Sequence, residues 1–300
     1  VITTAFSFIA TAETIVLAGA TPVYVDIDPM TYNIDVKEIE KAITSKTKAI
    51  MPVSLYGQVA NMTEIKAIAQ KHGLHVVEDA AQSFGALYKG QRSCSLTTIA
   101  GTSFFPAKPL GCYGDGGAIF TNDDQLAKIM KEIREHGSES RYYHTRLGIN
   151  GRLDSIQCAV LLSKMERYPW ELQQRDRIAK IYNDSLKSEV SKHASKNFRT
   201  PFVEPNSVSA WAQYTVCVND RADFQKKLTE QGVPTSIHYP RTMPDQPWYA
   251  EQIKKGNARI IGDIAQARWA TEHVISLPIF PDMTDAMIEQ VIGAVRKALN

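Results

Sequence analysis

Short apolar runs, each ended by turn-forming residues, alternate through the first half of the chain with stretches whose apolar positions return every three or four residues. The runs at 21–26, 49–54, 75–79, 99–105 and 117–121 have the length and β-branched content of strands. The stretches at 35–45, 61–72 and 123–136 have a helical period, and each opens on an Asp or Asn that suits an N-cap. Strand and helix in alternation predict a mostly parallel sheet covered by helices. From 154 to about 186 the pattern is almost continuously helical, with a break expected near Pro169. After a polar stretch at 187–209 it predicts a strand (212–218), a helix (221–231), a strand (233–238), a helix (260–271), a strand (274–277) and a helix (284–298). The expected organisation is a large α/β domain over 1–168, followed at 169–300 by a connecting helix and a small α+β C-terminal domain.

At 300 residues the chain is long enough for both units to bury a core. Its charge balance, 34 − 32 = +2, gives no sign of the polyanion binding of a strongly basic protein, so no nucleic acid partner is expected. No stretch approaches the roughly 20 apolar residues of a membrane span, and the first residues lack the basic start of a secretory signal. A cytoplasmic location is therefore expected, with no membrane association. The four cysteines, Cys94, Cys112, Cys158 and Cys217, form no CxxC pair or Cys/His cluster, so neither a disulfide framework nor a metal site is expected. The chain opens without a methionine on what reads as a strand end, so an N-terminal part of the large domain is expected upstream.

Ser103-Phe-Phe-Pro-Ala-Lys108-Pro-Leu-Gly-Cys-Tyr-Gly-Asp-Gly-Gly117 sets one lysine in an apolar, glycine-rich loop just after a predicted buried strand. Apolar surroundings disfavour the charged ammonium and make the neutral amine available to attack a carbonyl. Alone, Lys108 reads equally as a loop lysine whose head reaches water. The glycines fit neither GxGxxG nor GxxxxGK[ST], so they read as turn or close-packing residues. Asp79 closes a predicted buried strand and is followed by Gln82, which puts two polar side chains at the carboxyl edge of the sheet, where open α/β folds bind ligands. Alone, Asp79 reads as a strand-end acid capping the next helix. With Lys108 and Ser103 nearby, it reads instead as the partner of a protonated pyridine nitrogen.

Glu78-Asp-Ala-Ala-Gln-Ser83, Ser103-Phe-Phe-Pro-Ala-Lys108 and Gly114-Asp-Gly-Gly-Ala118 together resemble the DegT/StrS-type sugar aminotransferases, a fold-type-I pyridoxal-phosphate group. The likeness continues through Pro22-Val-Tyr-Val-Asp-Ile-Asp28, Gly148-Ile-Asn-Gly-Arg-Leu-Asp154 and His238-Tyr-Pro240, and so covers essentially the whole chain. The resemblance implies an aspartate aminotransferase-like fold with a mostly parallel, seven-stranded sheet. It implies pyridoxal 5'-phosphate as cofactor, with pyridoxamine 5'-phosphate as intermediate. Lys108 would be the Schiff-base lysine and Asp79 the partner of the pyridine nitrogen. Gln82 would meet the ring oxygen, Ser103 the phosphate and Phe8 the ring face. Asn150 would reach the phosphate from the neighbouring subunit of a homodimer with shared active sites, and Arg152, His238 and Tyr239 would contact substrate.

The likeness is strongest to members that aminate C3 of a UDP-linked 2-acetamido-3-keto-glucuronic acid in bacterial polysaccharide or O-antigen biosynthesis, with L-glutamate as donor. Its strings are Pro52-Val-Ser-Leu-Tyr-Gly-Gln58, Lys108-Pro-Leu-Gly-Cys-Tyr-Gly-Asp-Gly-Gly-Ala118 and Val233-Pro-Thr-Ser-Ile-His-Tyr-Pro240. Two departures stand out. The family's Gly-Thr or Gly-Ser helix start, whose amides bind the phosphate, would lie upstream of Val1. Arg241-Thr-Met-Pro-Asp245 differs from the Pro-Leu loop expected after His-Tyr-Pro. Rival readings are an aminotransferase for another nucleotide-linked keto sugar, a pyridoxamine-dependent dehydratase, a catalytically silent cofactor-binding fragment and a nicotinamide-dependent oxidoreductase. A lysine at 108, where the dehydratases carry a histidine, argues against the second. The lack of a glycine-rich fingerprint after the first strands argues against the last.

Overall fold

The structure is a computed structural model that describes residues 1–300. Six strands of the main sheet come from the first half: Ile2–Thr4 (β1), Val23–Val25 (β2), Ala49–Met51 (β3), His75–Asp79 (β4), Ile99–Ser103 (β5) and Gly117–Phe120 (β6). Between and after them run helices Ala10–Leu17 (α1), Val36–Ala42 (α2), Met62–His72 (α3) and Asp124–Arg134 (α4). The long helix Ser155–Lys192 (α5) follows. Beyond it come Tyr214–Cys217 (β7), Arg221–Glu230 (α6), Pro247–Lys254 (α7), Arg259–Ile260 (β8), Ala265–His273 (α8), Val274–Leu277 (β9) and Asp285–Leu299 (α9).

The main sheet has seven strands in the order β8-β2-β1-β3-β4-β5-β6, parallel except for the antiparallel pair β5/β6. This is the α/β architecture the alternation predicts. Its pleat sorts side chains between two cores. Ile2, Val23, Val25, Ile50 and Val76 meet Ile39, Met62, Ile65 and Ala69 of α2 and α3 on one face. On the other, Tyr24, Phe6, Val53 and Leu55 meet Tyr249, Ala267 and Ala270 of α7 and α8. The expected caps are present: the side chains of Asp35, Asn61, Asp123 and Asp154 accept hydrogen bonds from first-turn amides, and α3 ends on Gly73 in the left-handed region.

Three elements differ from expectation. First, α5 runs unbroken through Pro169 for 38 residues, about 57 Å at a helical rise. The proline withholds one amide, and both halves of the helix are anchored. Leu161 and Tyr168 pack with Phe104 and Leu110, whereas Ile178, Tyr182 and Leu186 enter a C-terminal core with Tyr214, Phe224, Ile275 and Ile292. Second, 233–238 makes no strand, because Pro234 and Pro240 leave gaps in any ladder and only Ser236 bridges to Ser276. Third, Ile260, expected to open a helix, instead extends the main sheet beside β2 together with Arg259. Gly262 then turns the chain at φ +71°, and α8 starts only at Ala265.

Candidate active site at the carboxyl edge of the sheet

The parallel strands β1, β3, β4 and β5 deliver their ends to one edge. Beyond β1, the segment Ala5–Ile9 leads into α1; beyond β3, a tight turn spans Leu55–Gly57; β4 ends on Asp79 and β5 on Ser103. The Asp79 backbone is fixed to the segment beyond β3, its amide donating to Pro52 O (2.9 Å) and its carbonyl accepting from Ser54 N (2.9 Å). Its carboxylate faces the site. Oδ2 accepts from Thr11 Oγ1 at 2.7 Å and Oδ1 from Ala81 N at 3.1 Å. On the opposite face of the strand, buried Glu78 accepts from Ser54 Oγ (2.8 Å), Ser93 Oγ (2.9 Å) and Cys94 N (2.9 Å). Burial pushes its carboxyl above the usual range against these donors.

Lys108 sits in a loop folded back on itself. Phe104 N donates to Gly116 O, Cys112 N to Phe104 O and Lys108 N to Phe105 O, while Lys164 Nζ ties down Gly111 O at 2.5 Å. A Cβ on Gly111 would lie 2.6 Å from Pro106 O, and one on Gly116 would lie 2.8 Å from Leu153 Cδ1, so these glycines serve close packing. The Lys108 side chain is half-buried and its amine has no hydrogen-bond partner. Burial lowers its pKa from the ordinary lysine value, and the facing Asp79 carboxylate partly offsets that.

Gln82, itself buried, joins three segments: its Oε1 accepts from Tyr56 N at 2.7 Å and its Nε2 donates to Tyr239 Oη at 2.9 Å. Burial and then Asp79 push the Tyr239 hydroxyl up to about 12. The Tyr239 ring lies 6.0 Å from the Phe8 ring, which is half exposed beside it. His238 contacts Ser276 Oγ through Nδ1 at 2.9 Å, and Ser276 Oγ lies 2.9 Å from Thr215 Oγ1. Burial first, then Lys108, holds the His238 imidazole below its usual range. The Tyr56 hydroxyl donates to the His238 carbonyl.

The structure thus brings Phe8, Asp79, Gln82, Lys108, His238 and Tyr239 into one group, with Ser103 at the end of β5, its Oγ accepting from Phe105 N at 3.2 Å. Asn150 and Arg152 lie elsewhere, in the exposed segment before α5. The Asn150 backbone bridges to Glu135, and Arg152 Nη1 donates to Glu135 Oε2 at 2.9 Å. Neither makes a hydrogen bond to the group around Asp79. Sequence reasoning missed Thr11, Tyr56, Thr215 and Ser276. Thr11 stands three residues after Phe8 at a helix start, and Tyr56 lies inside a quoted string, so a signal existed for those two. Thr215 and Ser276 are ordinary strand residues by sequence.

A profile of the DegT/DnrJ/EryC1/StrS aminotransferase family matches residues 1–296. A Pseudomonas aeruginosa protein named UDP-2-acetamido-2-deoxy-3-oxo-D-glucuronate aminotransferase is 52% identical over 295 residues, which is 98% of this chain and 78% of that protein. The crystal structure of a DegT DnrJ EryC1 StrS aminotransferase from Brucella abortus superposes with a TM-score of 0.92 at 38% identity, covering 99% of this chain and 78% of that one. Streptomyces venezuelae DesV, solved in complex with a ketimine intermediate, superposes with a TM-score of 0.91 at 35% identity, covering 100% of this chain and 78% of that one.

Proposed function

Because the chain belongs to the DegT/DnrJ/EryC1/StrS aminotransferase family, whose members use pyridoxal phosphate, we propose that it transfers the amino group of L-glutamate to a UDP-linked 3-keto sugar of the 2-acetamido-3-oxo-glucuronic acid type. The Pseudomonas aeruginosa relative supports that substrate class. The observation that carries the chemical reading is the Lys108 amine, half-buried, unpartnered and facing Asp79.

The residues fit the cofactor. Lys108 would hold it covalently through Nζ. Each oxygen of Asp79 uses one acceptor position on Thr11 or Ala81, which leaves a second for a heterocycle N–H. Gln82 spends one amide hydrogen on Tyr239 and keeps the other for a ring oxygen. Phe8 offers an exposed flat face and Ser103 a hydroxyl for the phosphate. When bound, the cofactor supplies an electron sink for the carbanion that forms beside the transferred nitrogen. Lys108 Nζ, whose ammonium form burial disfavours, would take the proton from the substrate carbon and pass it to the carbon on the other side of the transferred nitrogen. The Asp79 carboxylate would accept the hydrogen bond of the heterocycle N–H. His238 and Tyr239, and Arg152 with its planar guanidinium, would contact the sugar nucleotide.

We assign residues 1–168 to the cofactor-binding domain and 169–300 to the connecting helix and smaller domain, with Arg259–Ile260 crossing back to the main sheet. The active protein would be a homodimer in which Asn150 completes the neighbouring site. Exposed apolar side chains at Leu147, Ile149, Ile156 and Leu162, around that segment, support this. No helix is long and apolar enough to cross a membrane. The sugar-nucleotide substrate points to a cytoplasmic place in bacterial polysaccharide or O-antigen biosynthesis. Incubation with candidate UDP-linked keto sugars and L-glutamate should release 2-oxoglutarate with the 3-keto glucuronate, as read by mass spectrometry. Release with a different keto sugar alone would move the substrate within the family, and no release with any would refute the reading.

A further inference from the structure

We propose that Glu78, buried on the face of β4 opposite Asp79, is a positioning residue that holds Gln82 aimed at the cofactor's ring oxygen. This rests on the reading of Gln82 as the ring-oxygen partner, and it adds a residue that the chemistry described so far does not use. One carboxyl oxygen of Glu78, Oε1, meets Ser54 Oγ at 2.8 Å and Ser93 Oγ at 2.9 Å, and the other, Oε2, accepts from Cys94 N at 2.9 Å. Ser93 Oγ lies in turn 2.7 Å from Ser83 Oγ. Glu78, Ser54, Ser83 and Ser93 are all buried, so little water competes for these contacts. Whichever hydroxyl donates, the distances tie three segments to one side chain: Ser54 after β3, the turn carrying Ser83 after β4, and Ser93 after the hairpin at 87–92.

Two of those segments carry the site. Tyr56 follows Ser54 at two residues' distance and Gln82 directly precedes Ser83, and the Tyr56 amide donates to Gln82 Oε1 at 2.7 Å. The Glu78 cluster thus grips the chain on both sides of this hydrogen bond, Ser54 directly and Ser83 through Ser93. Ser54 N also donates to Asp79 O at 2.9 Å, so Glu78 and Asp79 hold the same serine. A Gln82 side chain that gives its oxygen to Tyr56 N turns its Nε2 the other way, where it donates to Tyr239 Oη at 2.9 Å and keeps one hydrogen for the ring oxygen. A carboxyl sealed from water is costly unless its partners are in place, and no lysine, arginine or histidine is among them. Apolar side chains here would fill the space without dictating one set of distances, whereas a satisfied polar cluster does dictate them.

Ser93→Ala removes the link between Glu78 and Ser83 and leaves every residue of the site in place. Hydrogen exchange in the cofactor-free protein, read by mass spectrometry on peptides covering residues 54–58, should show the Tyr56 amide exchanging about tenfold faster, the size of one weakened hydrogen bond. In the pyridoxal-phosphate-loaded protein the pH midpoint of the absorbance change should rise by about one unit, because a donor to the ring oxygen favours its deprotonated form and that donor is then held less well. Gln82→Leu should raise the same midpoint, and Ser93→Ala added to it should raise it no further. An additive shift would overturn the proposal, since Ser93 would then act without Gln82. Glu78→Gln keeps an oxygen for Cys94 N and an amide for the two serines, so it should leave exchange and midpoint near those of the unaltered protein, whereas Glu78→Met should change both at least as much as Ser93→Ala. Should Glu78→Met not fold, the Ser93→Ala and Glu78→Gln proteins decide the matter. Unchanged exchange at Tyr56 in Ser93→Ala would overturn the proposal, and so would a Glu78→Gln protein as impaired as Ser93→Ala, which would assign the effect to charge. Absence of turnover with every keto sugar would sink the functional reading instead, and exchange in the cofactor-free protein is read independently of it.

Discussion

One threonine hydroxyl settles how the Asp79 carboxylate is presented. Thr11 Oγ1 donates to Oδ2 at 2.7 Å, a bond to a charged acceptor of about 1.5–3 kcal/mol. Thr11→Val should therefore weaken pyridoxal-phosphate binding by roughly tenfold with the fold unchanged, as read by absorbance titration of the apoprotein; an unchanged affinity would free Asp79 of this dependence. At Lys108 the sign of the pH effect follows from burial. The folded protein holds its amine proton less tightly than the unfolded chain, so between the lowered pKa and the ordinary lysine value of 10.5 the unfolded chain binds more protons and stability rises with pH. Trapping of pyridoxal phosphate at Lys108 across a pH series should have its midpoint below that ordinary value, and a midpoint at or above it would contradict the burial argument. Asp79, Gln82 and Lys108 were legible as candidates because each stands where a strand ends in a distinctive local string. Thr11 and Tyr56 carried only a positional signal and Ser276 none, because the partners that give them meaning lie 68, 182 and 38 residues away along the chain.

At the scale of elements, the turn Leu55–Gly57 joins the two halves of the molecule. Gly57 has φ +105°, and a Cβ there would lie 2.6 Å from Trp211 N and 2.9 Å from Ala212 N, both backbone atoms with little room to yield. Its carbonyl accepts from Ala210 N at 2.9 Å. Gly57→Ala combines backbone strain of about 1–3 kcal/mol with displacement of the 210–212 segment. It should lower Tm by roughly 5 °C or more and, through Tyr56, reduce turnover. Unchanged melting would show that the contact is slack. Alternation of strand and helix was readable in the first half because local patterns decide there. It failed at 233–238, where prolines leave too few donors for a ladder, and at Ile260, where pairing with a strand more than two hundred residues earlier overrides a local helical pattern. The break expected at Pro169 is absent because α5 is held by a different core on each side of it.

For the whole molecule, α5 is the shared beam between the sheet core and the C-terminal core. Arg175, buried on it, donates to both Trp211 O (3.0 Å) and Ile279 O (3.1 Å). The first turns of α5 and the segment before it expose Leu147, Ile149, Ile156 and Leu162 to solvent, which is costly for a monomer. Leu147→Asp should shift the protein toward monomer in sedimentation equilibrium and abolish turnover together with assembly. A variant that stays dimeric would remove this face from the interface. The central claim is that one sheltered amine, Lys108, carries the cofactor opposite Asp79. Reduction of the pyridoxal-phosphate-loaded protein with borohydride, followed by peptide mapping in a mass spectrometer, tests it most directly. The account predicts the reduced pyridoxyl group on Lys108; its attachment to any other lysine, with Lys108 unmodified, would contradict it.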